Sequence, residues 1–241
     1  MSFLNLIRNN TSAPKCSAVI VAAGSSVRMG FDKLLAPLAG SAVLLRTLRA
    51  FESSEFINEI VVVTRMDKVS EIADLCAQNA ISKVSKVVAG GKTRMESSLI
   101  GVSSVKSNAK LIAIHDAARP LVSDALIKRI VCAGAEHMAA VPVVPSTDTL
   151  KAIGDDNLVI GTVDRESTYR VQTPQVFDSV LIKGALTKAA EKGLALSDDS
   201  AAMDMTGFKT YAVAGEEDNI KITTPRDLMI AEAILQNRGE Q

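Results

Sequence analysis

The chain has 241 residues, with 27 Lys plus Arg balanced against 27 Asp plus Glu, so its formal net charge is zero. No global field draws it to nucleic acid or to a membrane surface, and any anion-binding capacity must be local. Apolar residues make up 47% but aromatics only 3%, with no Trp, which excludes aromatic platforms for stacking bases and leaves Ala, Val, Ile and Leu to build the core.

Residues 1–14 carry neither a long apolar run nor a cleavage pattern after one, and read as an N-terminal extension. Strand and helix signals then alternate. Ala18 to Ala22 reads as a buried strand, Val43 to Phe51 as a helix, and Ile60 to Thr64 as a second buried strand. Lys68 to Asn79 is predicted helical, Lys86 to Val88 a short strand, and Arg94 to Val105 a helix opening after the Gly90-Gly91 turn. Lys110 to His115 is a third core strand, Asp124 to His137 a helix and Ala139 to Val144 a further strand. This alternation predicts an α/β fold with a doubly wound, mostly parallel, Rossmann-like sheet.

The rhythm breaks over residues 145–173, where polar and apolar residues alternate around a Gly-Asp-Asp-Asn turn. That is a β-hairpin signal. A hairpin inserted into a parallel sheet is expected to project as an arm, and an arm that cannot bury its own apolar face suggests a second subunit. Ser179 to Lys192 is a helix, LSDDSAAMDMTG a loop, Thr210 to Ala214 a strand and Thr224 to Asn237 the last helix, with Thr224 as N-cap and Pro225 at its first position. No linker or repeat interrupts the chain, so residues 1–241 read as one domain with an arm. No apolar run is long enough to span a membrane. Cys16, Cys76 and Cys132 are odd in number and far apart, which favours free thiols in a reducing cytoplasm over disulfides or a metal site.

In open parallel sheets, ligands sit beyond the carboxyl ends of the strands. After the first strand comes AAGSSVRMGFDK, a loop of small residues with Arg28 and Lys33. Small residues let backbone N–H groups approach an anion and cations neutralise it, so polyphosphate is one reading and a solvated turn with two incidental cations the other. The loop matches neither the P-loop nor the dinucleotide fingerprint. HDAARP places Asp116 and Arg119 within one turn of a strand tip, where Asp116 either holds a sugar hydroxyl or metal, or simply pairs with Arg119. His115 alternates to the core side and reads as structural. Lys221 reads on composition as a surface lysine, Arg165 as a partner of its acidic neighbours, and Asp198 and Asp199 as a loop feature or helix cap. With two histidines in the chain, His-based catalysis lacks material.

Taken in order, AAGxxxRMGxxK, GGxxRxxS, HDAARP, TVDR followed by QTPQxF, DDSAAM and DNIKITTPxDL resemble the 2-C-methyl-D-erythritol 4-phosphate cytidylyltransferases over nearly the whole chain, from about Ser17 to Leu235. The resemblance implies a nucleotidyltransferase sheet and the transfer of CMP from CTP to methylerythritol phosphate, with release of pyrophosphate, in the non-mevalonate isoprenoid pathway. It implies catalytic roles for Arg28, Lys33 and Lys221. It puts Ala22, Ala23, Gly24, Gly91, Ser97, Asp116 and Ala117 beside the nucleotide. Asp116, Arg119, Thr149, Arg165, Thr173 and Lys221 would hold methylerythritol phosphate, some arm residues reaching into the partner's site of a homodimer. Mg²⁺ or another divalent cation would be held mainly by the CTP phosphates rather than by protein side chains. The triphosphate loop departs from the family pattern in having Ser26 and Val27 where glycine is common, which stiffens it. A ribitol 5-phosphate cytidylyltransferase shares the fold, the triphosphate loop and the NIKITTP segment; HDAARP and TVDR favour methylerythritol phosphate.

Overall fold

The computed structural model of the protein describes residues 14–24 and 30–239. The remaining residues, including Ser26, Val27 and Arg28, lie outside that description.

In chain order the first half gives β1 (Cys16–Ala22), the short strands β2 (Pro37–Leu38) and β3 (Ser41–Ala42), α1 (Val43–Ser53), β4 (Ile57–Thr64), α2 (Val69–Gln78), β5 (Val84–Ala89), α3 (Arg94–Ser104), β6 (Leu111–Asp116), α4 (Asp124–His137) and β7 (Ala139–Pro145). The second half gives β8 (Lys151–Ile153), β9 (Val159–Thr162), β10 (Tyr169–Val171), β11 (Gln175–Asp178), α5 (Ser179–Glu191), α6 (Ser200–Asp204), β12 (Tyr211–Ala214) and α7 (Pro225–Asn237). The principal sheet has eight strands in the order β10-β7-β11-β6-β1-β4-β5, with β12 added to β7. β1 is parallel to both β4 and β6, β4 to β5, and β12 to β7.

Alternation along the strands explains why helices cover both faces. Ala18, Ile20 and Ala22 face one core together with Ile60, Val62 and Ala113, packed under Leu44, Leu48 and Phe51 of α1 and Leu126 and Ile130 of α4. Val19, Val61, Val63, Ile112 and Ile114 face the other, under Met95 and Val102 of α3 and Ile182 and Leu186 of α5. A strand buried on both sides must be apolar at every position, and this is why AVIVA and IVVV read as continuous runs.

The helix ends are made by the residues that the pattern implies. Ser123 Oγ accepts from the Leu126 N–H at 3.0 Å to start α4. Asp227 Oδ2 accepts from the Thr224 N–H at 2.8 Å at the head of α7, where Pro225 occupies the first position.

Three expectations need correction. The arm assigned to residues 145–173 divides: β8 and β9 form a separate two-stranded antiparallel hairpin around Gly154 to Asn157, whereas β10 returns to the principal sheet and pairs antiparallel with β7. Between them and α5 lies a strand with no counterpart among the expected elements. β11 runs antiparallel between β6 and β7, with Gln175 and Val176 opposite Ile114 and Ala113. Finally, the segment read as the loop LSDDSAAMDMTG contains α6.

Candidate active site

The tips of β6, β1, β4 and β5 lie side by side in the sheet, and the segments that leave β1, β5 and β6 converge on one cavity. Gly90, which follows β5, donates its N–H to the Thr64 carbonyl of β4 at 2.7 Å. A Cβ at position 90 would lie 2.7 Å from both Ala23 Cβ and Ser97 Oγ, so glycine there is what lets the β5 turn press against the exit of β1. Thr93 Oγ1 accepts from the Glu96 N–H at 3.1 Å and starts α3, and Glu96 Oε2 accepts from the Lys92 N–H at 2.6 Å, fixing the turn.

The segment after β12 is stitched to the same place. Arg119 Nη1 donates to the Asn219 carbonyl at 2.7 Å, and the Ile222 N–H donates to the Ala118 carbonyl at 2.8 Å. Lys33 Nζ donates to the Ile222 carbonyl at 2.9 Å. Lys33 and Lys221, far apart in sequence, thus flank one strand-tip cavity of about 310 Å³, which Ala22, Ala23, Gly24, Gly91, Arg94, Ser97 and Asp116 also line.

Asp116 is the centre of charge. Its Oδ1 lies 3.2 Å from Arg94 Nε, and its Oδ2 lies 2.8 Å from Lys221 Nζ and 3.7 Å from Arg119 Nε. Burial raises the pKa of a carboxyl group, but Arg94, Lys221 and Arg119 outweigh it and hold Asp116 well below the usual carboxylate range. Arg94 also reaches the buried Asp199 through Nη2 at 2.8 Å. Burial opposes the charge of Arg94, but Asp199 and Asp116 overcome it and fix Arg94 as a cation. Three cations gathered on one carboxylate leave positive charge facing the cavity, an arrangement suited to polyanions.

Nothing described at this site resembles an acid–base relay. His115 is fully buried, 3.1 Å from Thr173 Oγ1 and 3.2 Å from the Arg119 carbonyl, and burial pulls its pKa down to about 3. Burial raises the thiols of Cys16, Cys76 and Cys132 above their ordinary value. Among the described residues, no group of three or more His, Cys, Asp and Glu side chains is placed to hold a metal ion. The oxygens of Asp116 are already taken up by its cations.

A family model described as 2-C-methyl-D-erythritol 4-phosphate cytidylyltransferase matches residues 16–237. The chain belongs to this cytidylyltransferase family. The enzyme of that name from Caldanaerobacter subterraneus is 41% identical over 227 residues, covering 91% of this chain and 98% of its own length. The one from Halalkalibacterium halodurans is 39% identical and covers 92% and 97% respectively. Among solved structures, 4-diphosphocytidyl-2C-methyl-D-erythritol synthase from Anaerococcus prevotii superposes with a TM-score of 0.83 at 33% identity, over 92% of this chain and 96% of that one. 2-C-methyl-D-erythritol 4-phosphate cytidylyltransferase from Thermus thermophilus does so with a TM-score of 0.75 at 31% identity, over 92% and 99%. The ribitol phosphate alternative is not favoured, since all four carry the methylerythritol name.

Within the cytidylyltransferase frame, the residues singled out from sequence, Arg28 aside because it lies outside the described residues, separate into those that line the cavity, those behind Asp116 and those exposed on the 145–173 segment. Ala22, Ala23, Gly24, Lys33, Gly91, Ser97, Asp116 and Lys221 line the cavity. Arg119 stands behind Asp116. Ala117 and Thr173 do not line the cavity: the Ala117 carbonyl accepts from the Thr47 hydroxyl at 2.8 Å, and Thr173 Oγ1 accepts from the Asp116 N–H at 3.1 Å. Both are buried and brace the β6 tip from behind. Thr149 and Arg165 are exposed on the 145–173 segment and line no part of the cavity.

Arg94 is the residue that the sequence reading missed. The signal was the arginine of GGxxRxxS, in a segment already noted for following a strand tip, but an arginine at the start of a helix reads as solvated. Asp199, which reads in the sequence as a loop feature or helix cap, is the second such residue. Its neighbour Asp198 does the capping, accepting from the Ala201 N–H at 3.1 Å, while Asp199 turns inward to Arg94.

Proposed function

We propose that this cavity is where CTP and 2-C-methyl-D-erythritol 4-phosphate meet. The transferred group is CMP, and the products are 4-diphosphocytidyl-2-C-methyl-D-erythritol and pyrophosphate. The nucleotide lies along Ala22 to Gly24 and the Gly91–Ser97 turn, the acceptor by Asp116, Arg119 and Lys221. The observation that carries this reading is the cluster of Arg94, Arg119 and Lys221 on Asp116, with Lys33 across the same cavity.

A phosphate oxygen of the acceptor attacks the α-phosphorus of CTP. The new P–O bond forms as the bond to the β-phosphate breaks, and the electron pair leaves on pyrophosphate. A phosphate monoester is anionic at pH 7, so the step needs no strong base, in keeping with a neutral His115. The barrier lies in bringing two anions together and in charge growing on the bridging oxygens, which Lys33, Lys221 and Arg28 would stabilise. A divalent cation such as Mg²⁺ would be held by the CTP phosphates and would neutralise part of their charge.

We read the chain as one domain, residues 1–241, acting as a homodimer through the 145–173 segment, with Thr149 and Arg165 serving the partner's acceptor site. What supports the dimer is the hairpin surface: every residue of β9 is exposed, Ile160 by 71%. Free thiols suit a cytoplasmic location, and no described helix is long and apolar enough to cross a membrane. The test of the site is Lys221→Ala, which should abolish turnover in a folded protein. Near-normal rates in a folded variant would remove Lys221 from the mechanism.

A further inference from the structure

Asp199 is 1% exposed, lines no part of the strand-tip cavity and carries a charge that burial disfavours. Its ion-pair partner is Arg94, whose guanidinium is divided: Nη2 lies 2.8 Å from Asp199 Oδ2, and Nε lies 3.2 Å from Asp116 Oδ1. The loop carrying Asp199 is itself anchored. The fully buried amide of Gln175 in β11 donates to Asp198 Oδ2 at 2.8 Å and accepts from the Ser200 N–H at 3.1 Å.

The division matters because of what occupies the other oxygen of Asp116. A guanidinium is a planar fork and, left to itself, grips a carboxylate through two nitrogens and both oxygens. With Nη2 held by Asp199, Arg94 reaches Asp116 through one nitrogen, and Asp116 Oδ2 remains for Lys221 Nζ at 2.8 Å. We propose that Asp199 is a positioning residue for the transfer reaction: by holding one arm of Arg94 it prevents a two-pronged Arg94–Asp116 pair and so keeps Lys221 at the Asp116 carboxylate, facing the cavity. This deepens the proposed function and rests on Lys221 belonging to the reacting site.

The test is Asp199→Asn. Its kcat for pyrophosphate release from CTP and methylerythritol phosphate should fall about tenfold or more. Its crystal structure should show Arg94 on both oxygens of Asp116 and Lys221 beyond ion-pair distance. In an Arg94→Lys background no fork exists, so adding Asp199→Asn should change kcat by no more than about twofold. That comparison stands even if the single variant is too unstable to isolate. An unchanged kcat in Asp199→Asn, an intact Lys221–Asp116 pair in its crystal structure, or an equal loss in the Arg94→Lys background would each overturn the proposal. A wild-type protein that releases no pyrophosphate would remove the functional reading instead, and the crystal structure would still decide the pairing.

Discussion

Thr173 Oγ1 lies 3.1 Å from His115 Nδ1. The same hydroxyl oxygen accepts from the Asp116 N–H, and since the Arg119 carbonyl at Nε2 can only accept, the Thr173 proton goes to Nδ1 of the neutral ring. Nδ1 is then the acceptor, and Nε2–H is the donor to the Arg119 carbonyl at 3.2 Å. One neutral imidazole, packed 4.8 Å from the ring of Phe51, thus ties the two ends of the HDAAR turn to the β10–β11 connection and sets the direction in which Asp116 faces.

This arrangement predicts an acid-sensitive fold. His115 binds a proton near pH 6.5 when unfolded but only near pH 3 when folded, so between those values the unfolded state holds more protons and stability rises with pH. The stabilisation is complete above the unfolded value and is lost as pH falls, by several kcal/mol across the window. Denaturant unfolding at pH 7.5 and pH 5 should show it. Equal stabilities at the two pH values would mean that His115 is solvated or protonated in the folded protein.

Much of the scaffold was legible because its strands are buried on both faces, and continuous apolar runs such as IVVVT admit few other readings. β11 was not legible. Gln-Val-Phe-Asp is too short to show alternation and follows a proline, and it becomes a strand because β6 and β7 offer hydrogen bonds on both sides. The site was legible in the same uneven way. The small residues with Arg28 and Lys33 after the first strand left polyphosphate as one reading beside a solvated turn, and Lys221 took on a role only through the family resemblance, whereas Arg94 and Asp199 acquire meaning only once the fold puts them beside each other.

At the other end of the strands, Glu59 of β4 is 2% exposed and accepts from Ser17 Oγ at 2.8 Å, Ser85 Oγ at 2.7 Å and the Lys106 N–H at 3.1 Å. It locks β1, β4, β5 and the end of α3 together. Glu59→Ala leaves these donors without their acceptor and should cost about 3 kcal/mol. Because Glu59 lies at the opposite end of the sheet from Ala22 to Gly24, kcat should stay close to wild type at temperatures where the variant is folded. Calorimetry and steady-state rates check both halves, and a lowered kcat in the folded variant would show that the sheet's two ends are coupled.

The hairpin predicts association. Ile153, Leu158, Val159 and Ile160 are each at least half exposed, more apolar surface than a two-stranded ribbon usually leaves to water. Light scattering at micromolar concentration should report a dimer, and Ile160→Asp should shift it toward monomer. A clean monomer for the wild-type chain would remove the argument that Thr149 and Arg165 serve a partner's site.

The most direct test of the central claim is pyrophosphate release in the presence of Mg²⁺, comparing methylerythritol 4-phosphate with ribitol 5-phosphate as acceptor and CTP with ATP, GTP and UTP as donor. Release with CTP and methylerythritol phosphate alone is the result that this site predicts. Release with ribitol phosphate in its place, or with a purine nucleotide as readily as with CTP, would contradict it.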